Sequence, residues 1–177
     1  MITAGWIERY ASWYLERWPA STAKLSRALY LRVDRSTEHH QTDPADGHAL
    51  VDAEIARLTA IGLLNDDRLA QHKASSLARK GTSRAHIRSK LSAAHIPAAA
   101  IASAVADLAE DDRDVDPDLA AARTWARKRR IGPWRTGPAD ADGRRRELAK
   151  LGRAGFAYET ARKIVDFDPD EEGEDAG

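Results

Sequence analysis

The chain has 177 residues, no cysteine, and 28 basic against 28 acidic side chains, so its formal net charge is zero. The missing thiols exclude disulfides and thiolate metal sites and fit a reducing cytosol. With 6% aromatic and 32% charged residues, few large apolar side chains are left for a thick core, and the abundant alanine suits helices packed closely in an elongated array.

Taken in chain order, the N-terminal segment has charges in its first turns and no apolar h-region, so it does not read as a signal peptide. Trp6, Tyr10, Trp13 and Tyr14 follow the spacing of one helix face and predict a helix over Ile7–Arg17, with the stripe packed. Pro19 opens a second helix running to about Val33. The polar stretch Asp34–Asp46, closing in DPADG, is expected to be a loop, and its His39 and His40 to be solvated rather than metal ligands. Leu50, Ile55, Leu58 and Ile61 predict a third helix over about Ala49–Leu64.

Asn65 or Asp66 caps a fourth helix that runs to Lys80 and stops at Gly81, a residue suited to the left-handed position past a helix end. Thr82 or Ser83 caps the fifth, Arg84–His95. The sixth starts at Pro97 and frays in the charged EDDRD from Glu110 to Asp114. Asp116-Pro117 reads as an N-cap with a first-turn proline, opening a seventh helix to about Arg130. After a loop over Gly132–Gly143, two last helices are expected at about Gly143–Ala154 and Tyr158–Phe167. No period-two strand pattern competes, and the longest weakly polar run, Ala98–Ala106, is too short to span a bilayer. A soluble cytoplasmic chain is expected.

The chain also repeats itself. KLSAAHIPAAAIASAV from Lys90 aligns with KLGRAGFAYETARKIV from Lys150, setting Leu91 over Leu151, Ile96 over Phe156 and Val105 over Val165. Likewise SRAHIRSKL from Ser83 aligns with STAKLSRAL from Ser21. Offsets of roughly 60 residues exceed the common repeat periods, so each unit holds three helices. The fold expected is all-α, three tandem three-helix repeats over residues 1–64, 65–113 and 114–167, followed by a disordered acidic tail over 168–177.

Neutral in sum, the chain is polarised along its length. From Arg68 to Lys90 every charge is positive; a second basic region runs from Arg123 to Lys163; the end, DFDPDEEGEDAG, carries only negative charge. No phosphate loop, nucleophile turn, zinc helix or dinucleotide fingerprint occurs. Asp66 and Asp67 are adjacent and point about 100° apart on a helix, a poor acid–base pair better explained by capping. His72 and His86 lie in basic helices without a plausible serine or cysteine partner for nucleophilic catalysis. The chain is therefore read as a binding protein, not an enzyme, with no cofactor and no metal.

Residue order narrows this further. GLLNDDRLA at Gly62–Ala70, ARKGTSRAHIRSKLSAAHI at Ala78–Ile96, ARKRRIGP at Ala126–Pro133 and KLGRAGFAYETARKIV at Lys150–Val165 resemble the RecX family of bacterial recombination regulators. With YLERWPASTAKLSRAL from Tyr14 the resemblance covers most of the chain. It departs from the family pattern at Trp18, at Ser83 and in the polar segment Asp34–Gly47. The resemblance implies a curved array of three-helix repeats that binds the RecA filament on single-stranded DNA and restrains its recombinase and co-protease activity, modulating DNA repair and the SOS response.

On this reading the chain is a monomer with weak, salt-sensitive DNA binding of its own and no membrane partner. Because basic clusters recur at the ends of corresponding helices, the filament contact is expected at Arg79, Lys80, Arg84, Arg88, Arg127, Lys128, Arg129, Arg130 and Arg144. The acidic tail, Asp166–Asp175, is expected to fold back on that face. The alternative is a helical nucleic-acid-binding module or transcription regulator, which would select duplex sequences rather than depend on RecA.

Overall fold

A computed structural model describes residues 2–110, 116–137 and 140–167. Among these residues the chain is all-α, with no strand: α1 (Ala4–Arg17), α2 (Thr22–His40), α3 (Ala45–Ala60), α4 (Asp66–Arg79), α5 (Arg84–Ala93), α6 (Ala98–Glu110), α7 (Pro117–Arg129), a 3-10 turn at Gly132–Trp134, α8 (Ala141–Arg153) and α9 (Tyr158–Val165). The expected fraying at Asp111–Asp114 and the tail beyond Phe167 lie outside the described residues.

The chain packs as two compact units, one of Met1–Ala70 with Leu91–Ile101, the other of Gln71–Lys90 with Ala102–Gly177. In the first, Leu25, Leu29 and Val33 bury one stripe of α2 against Ile7 and Ala11 of α1, Val51 and Leu58 of α3, and Leu64. Such full burial stabilises by roughly 1.5–3 kcal/mol per large side chain. Trp6, Tyr10 and Tyr14 pack half-buried on this core, with the Trp6 and Tyr10 rings stacked at 5.2 Å. Trp13, counted in the same stripe, is 40% exposed.

Four boundaries differ from expectation. The second helix starts at Thr22, capped by Ser21, whose Oγ accepts from the Lys24 N–H at 3.2 Å. Pro19 thus precedes it rather than opening it. The same helix runs to His40, and α3 begins at Ala45, so most of the expected loop is helical. Past Val33 this helix has no apolar residue to betray it, and its polar side chains close their bonds locally: Thr37 Oγ1 donates to the Val33 carbonyl at 3.2 Å. His39 and His40 are therefore exposed at a helix end, where Gln41 takes the left-handed conformation. The eighth helix likewise starts earlier, capped by Asp140.

In the second unit α7 contributes only Ala121, Ala122 and Ala126 to a core completed by Ile131, Leu151, Phe156, Ala161, Ile164 and Val165. Small residues bring backbones close. Gly81, at φ +83°, ends the α4 turn so near α7 that a Cβ there would lie 2.8 Å from the Trp125 backbone nitrogen and 3.0 Å from the Ala121 carbonyl oxygen. Gly132, at φ +62°, lies against the Ile164 carbonyl. Both positions demand glycine on conformation and on space.

The same pair of bonds occurs in each unit. In the first, Ser21 Oγ donates to the Ala94 carbonyl at 2.9 Å, and the Thr22 N–H donates to Asp66 Oδ1 at 2.9 Å. In the second, Ser83 Oγ donates to the Ala154 carbonyl at 2.7 Å, and the Arg84 N–H donates to Asp118 Oδ1 at 2.9 Å. Asp66 thus serves the N-terminus of α2, while Asn65 caps its own helix by accepting from the Arg68 N–H at 2.8 Å. Helix ends recur too: Ile96 N–H to Leu91 carbonyl and Phe156 N–H to Leu151 carbonyl, each at 3.2 Å. That bond is why the aligned apolar anchors coincide, since it holds the last core residue of the helix to the first one beyond it.

Candidate binding surface

All nine basic residues singled out from the sequence belong to the second unit. Arg79 sits in the last turn of α4 and Lys80 just beyond it, while Arg127, Lys128 and Arg129 form the last turn of α7 and Arg130 its left-handed cap. Lys128 Nζ donates to the Lys80 carbonyl at 3.1 Å. The two clusters, 47 positions apart from Lys80 to Arg127, therefore stand side by side at two helix C-termini. Each terminus presents free carbonyls and the negative end of the helix dipole, which favours cations there.

Two of the nine are engaged elsewhere. Arg84 donates through Nε to Asp118 Oδ2 at 3.0 Å and lies 3.6 Å from Asp116, so its charge helps hold α5 to the start of α7. Arg144 makes a two-pronged pair with Asp166, at 2.7 and 2.6 Å. The hydrogen bond to Asp166, reinforced by its charge, raises the Arg144 pKa, and the same bond lowers that of Asp166. Arg79, Lys80, Arg88, Arg127, Lys128, Arg129 and Arg130 are exposed, and no carboxylate among the described residues pairs with them.

Arg129 has a different partner. Its guanidinium stacks over the Trp125 ring at 4.2 Å, and Trp125 is set in place by the edge of Phe156 at 6.1 Å. Beside this stack lies an open groove of about 610 Å³ lined by His86, Trp125, Arg129, Ile131, Lys150, Arg153 and Ala154. It contains four basic side chains and no acid. Lys150 and Arg153 lie in the last turn of α8, and neither forms an ion pair among the described residues. Sequence reasoning counted Lys150 and Arg153 as part of a basic region but did not select them. The spacing of Trp125 and Arg129, four apart on one helix face, was the available signal.

Nothing in the described residues gathers three His, Asp or Glu side chains as a metal site would. Among the same residues no helix is long and apolar enough to cross a membrane.

No protein-family model matches the chain. Full-length relatives do. It is 41% identical over 169 residues, 95% of this chain and 88% of the relative, to the regulatory protein RecX of Myxococcus xanthus. The chain belongs to the RecX family. It is also 29% identical to the RecX protein of Stenotrophomonas maltophilia strain K279a, covering 88% of this chain and 93% of that one. Against the RecX protein of Agrobacterium fabrum it is 28% identical, covering 90% and 82%. These RecX relatives align over both basic clusters and the groove, so the surface lies within the part of the chain that the family shares, not in an appended segment.

Proposed function

We propose that this RecX-family chain binds the RecA filament on single-stranded DNA and inhibits its recombinase and co-protease activity, as a monomeric cytoplasmic regulator of DNA repair and the SOS response. The observation that carries the reading is the convergence of Arg79–Lys80 with Arg127–Arg130 through the Lys128 bond to the Lys80 carbonyl. Cations clustered without counter-charges make a contact surface for an acidic polymer, and their steering effect raises association rates. The recurring serine and aspartate bonds support a division into three tandem three-helix repeats over 1–64, 65–113 and 114–167. Repeats that present similar surfaces to successive protomers of a filament gain avidity without a deep pocket.

Arg79, Lys80, Arg88, Arg127, Lys128, Arg129 and Arg130 are the filament contact in this reading, with Arg84 and Arg144 at its margin, already neutralised by their own aspartates. The test is inhibition of single-stranded-DNA-dependent ATP hydrolysis by RecA. Reversing Arg79, Lys80, Arg129 and Arg130 to Glu abolishes inhibition while the helical circular dichroism persists. Undiminished inhibition by that variant rejects the surface, and sequence-selective duplex binding without any effect on RecA favours a nucleic-acid module instead.

A further inference from the structure

We propose that the groove between the Arg129–Trp125 stack and the last turn of α8 is a binding site for the phosphodiester backbone of single-stranded DNA. Four features of the groove point to that ligand. First, its cations come from two separate elements, Arg129 on α7 and Lys150 and Arg153 on α8, with the His86 imidazole of α5 beside them, and no carboxylate among the groove residues competes for them. An unneutralised set of this kind replaces cations condensed on a polyanion, and their release favours binding.

Second, the Arg129 guanidinium lies over the indole at 4.2 Å. Stacking fixes the plane of its N–H fork, which is the geometry that grips two oxygens of one phosphate, and lowers the rotamer entropy lost on binding. Lys150 and Arg153 are exposed on α8, where a lysine acts as a point charge for a neighbouring phosphate.

Third, the lining is partly apolar. Trp125 is half-buried, and Ile131 and Ala154 line the groove with it. A nucleotide offers sugar and base surface to such a lining beside each phosphate, whereas an acidic peptide of Asp and Glu offers little apolar surface between its charges. Fourth, the volume of about 610 Å³ is open to solvent rather than enclosed, which accommodates a passing strand better than it encloses a small ion.

The identity of the strand rests on the filament reading; the groove itself does not. It would place this chain on the nucleic acid as well as on the recombinase, a contact outside the nine cations singled out above apart from Arg129.

The experiment is fluorescence anisotropy of an end-labelled oligothymidylate with the full chain and no RecA, over a range of salt concentrations. Lys150→Gln/Arg153→Gln, two exposed sites whose loss leaves the core untouched, weakens binding about tenfold at low salt and reduces the slope of log K against log salt by about 1.4, the value for two lost phosphate contacts on a single strand. Poly-glutamate of matching charge fails to displace the oligonucleotide. Unchanged affinity of the double variant, no oligonucleotide binding by the wild type, or equal displacement by poly-glutamate each overturns the assignment, the last in favour of an acidic polypeptide. Inhibition of RecA ATP hydrolysis is measured in parallel on the wild type. If that inhibition is absent while the oligonucleotide still binds through Lys150 and Arg153, the filament reading falls and the groove stands.

Discussion

Ser83 Oγ donates to the Ala154 carbonyl at 2.7 Å while accepting from the His86 N–H at 3.3 Å. One fully buried hydroxyl therefore closes the open carbonyl at the end of α8 and the free N–H at the start of α5.

Ser83→Ala removes both bonds and leaves the Ala154 carbonyl without its partner, at a cost of about 1–3 kcal/mol. For a chain of this length that lowers the melting temperature by roughly 2–4 °C per kcal/mol. Differential scanning calorimetry of the single variant measures it. Ser21→Ala, which breaks the corresponding pair in the first unit, should show a loss of similar size, and a neutral result at both sites would refute the shared role.

Gly132→Ala places a methyl group against the Ile164 carbonyl and forces a side chain into the left-handed region at φ +62°. Strain of this kind costs about 1–3 kcal/mol before any steric clash is added. The unfolding midpoint in urea should fall with the m-value unchanged, since the loss is native-state strain and not altered compactness. Gly137→Ala, with open space around it, is the control and should be neutral.

Asp166 is held by Arg144, and its pKa is lowered relative to an ordinary aspartate. A carboxylate depressed in the folded state contributes stability that is fully present above the unfolded value, near 3.9, and is lost as pH falls through the folded value. The contribution therefore disappears only in acid, below about pH 4, and neutral-pH stability does not vary on its account. Carboxyl NMR titration of Asp166 should give a midpoint below that of a free aspartate, moving upward in Arg144→Gln. An unmoved midpoint would show that Arg144 is not its cause.

Truncation after Phe167 removes an acidic segment and leaves the described C-terminal contacts whole. Arg135 still donates to the Val165 carbonyl at 2.9 Å and pairs with Glu147 at 2.8 Å, Arg144 still holds Asp166, and the Arg123 guanidinium still lies 5.5 Å from the Phe167 ring. If residues 168–177 compete for the basic surface, the truncated chain binds RecA filaments more tightly at low salt, and the difference shrinks as the Debye length shortens. Surface plasmon resonance at two salt concentrations checks both parts, and equal affinities at low salt exclude the competition.

Where the fold was readable from sequence, chemical punctuation made it so. Asn65, Gly81 and Asp116-Pro117 mark ends by side-chain capping, a left-handed turn and a fixed φ, and the structure uses each of them there. The C-terminal half of α2 was hidden because nothing apolar follows Val33, and a solvent-facing helix made of Asp, Arg, Ser, Thr, Glu and His has the composition of a loop. Charge was legible in the same partial way. Sequence shows every arginine but not its partner: Arg84 meets Asp118 from 34 positions away and Arg144 meets Asp166 from 22. The groove was hidden for the same reason, since its lining comes from α5, α7 and α8 and only tertiary packing brings those side chains together.

Gly81 belongs to neither basic cluster nor to the groove, yet a Cβ there would run into the backbone of the α7 turn that bears Trp125. Any side chain at that position has to push α7 away, carrying the indole and the guanidinium stacked on it. Substitutions tolerated at 81 should therefore be limited by ligand affinity as well as by folding, and a selection for binding alone would recover glycine at a site the ligand never touches.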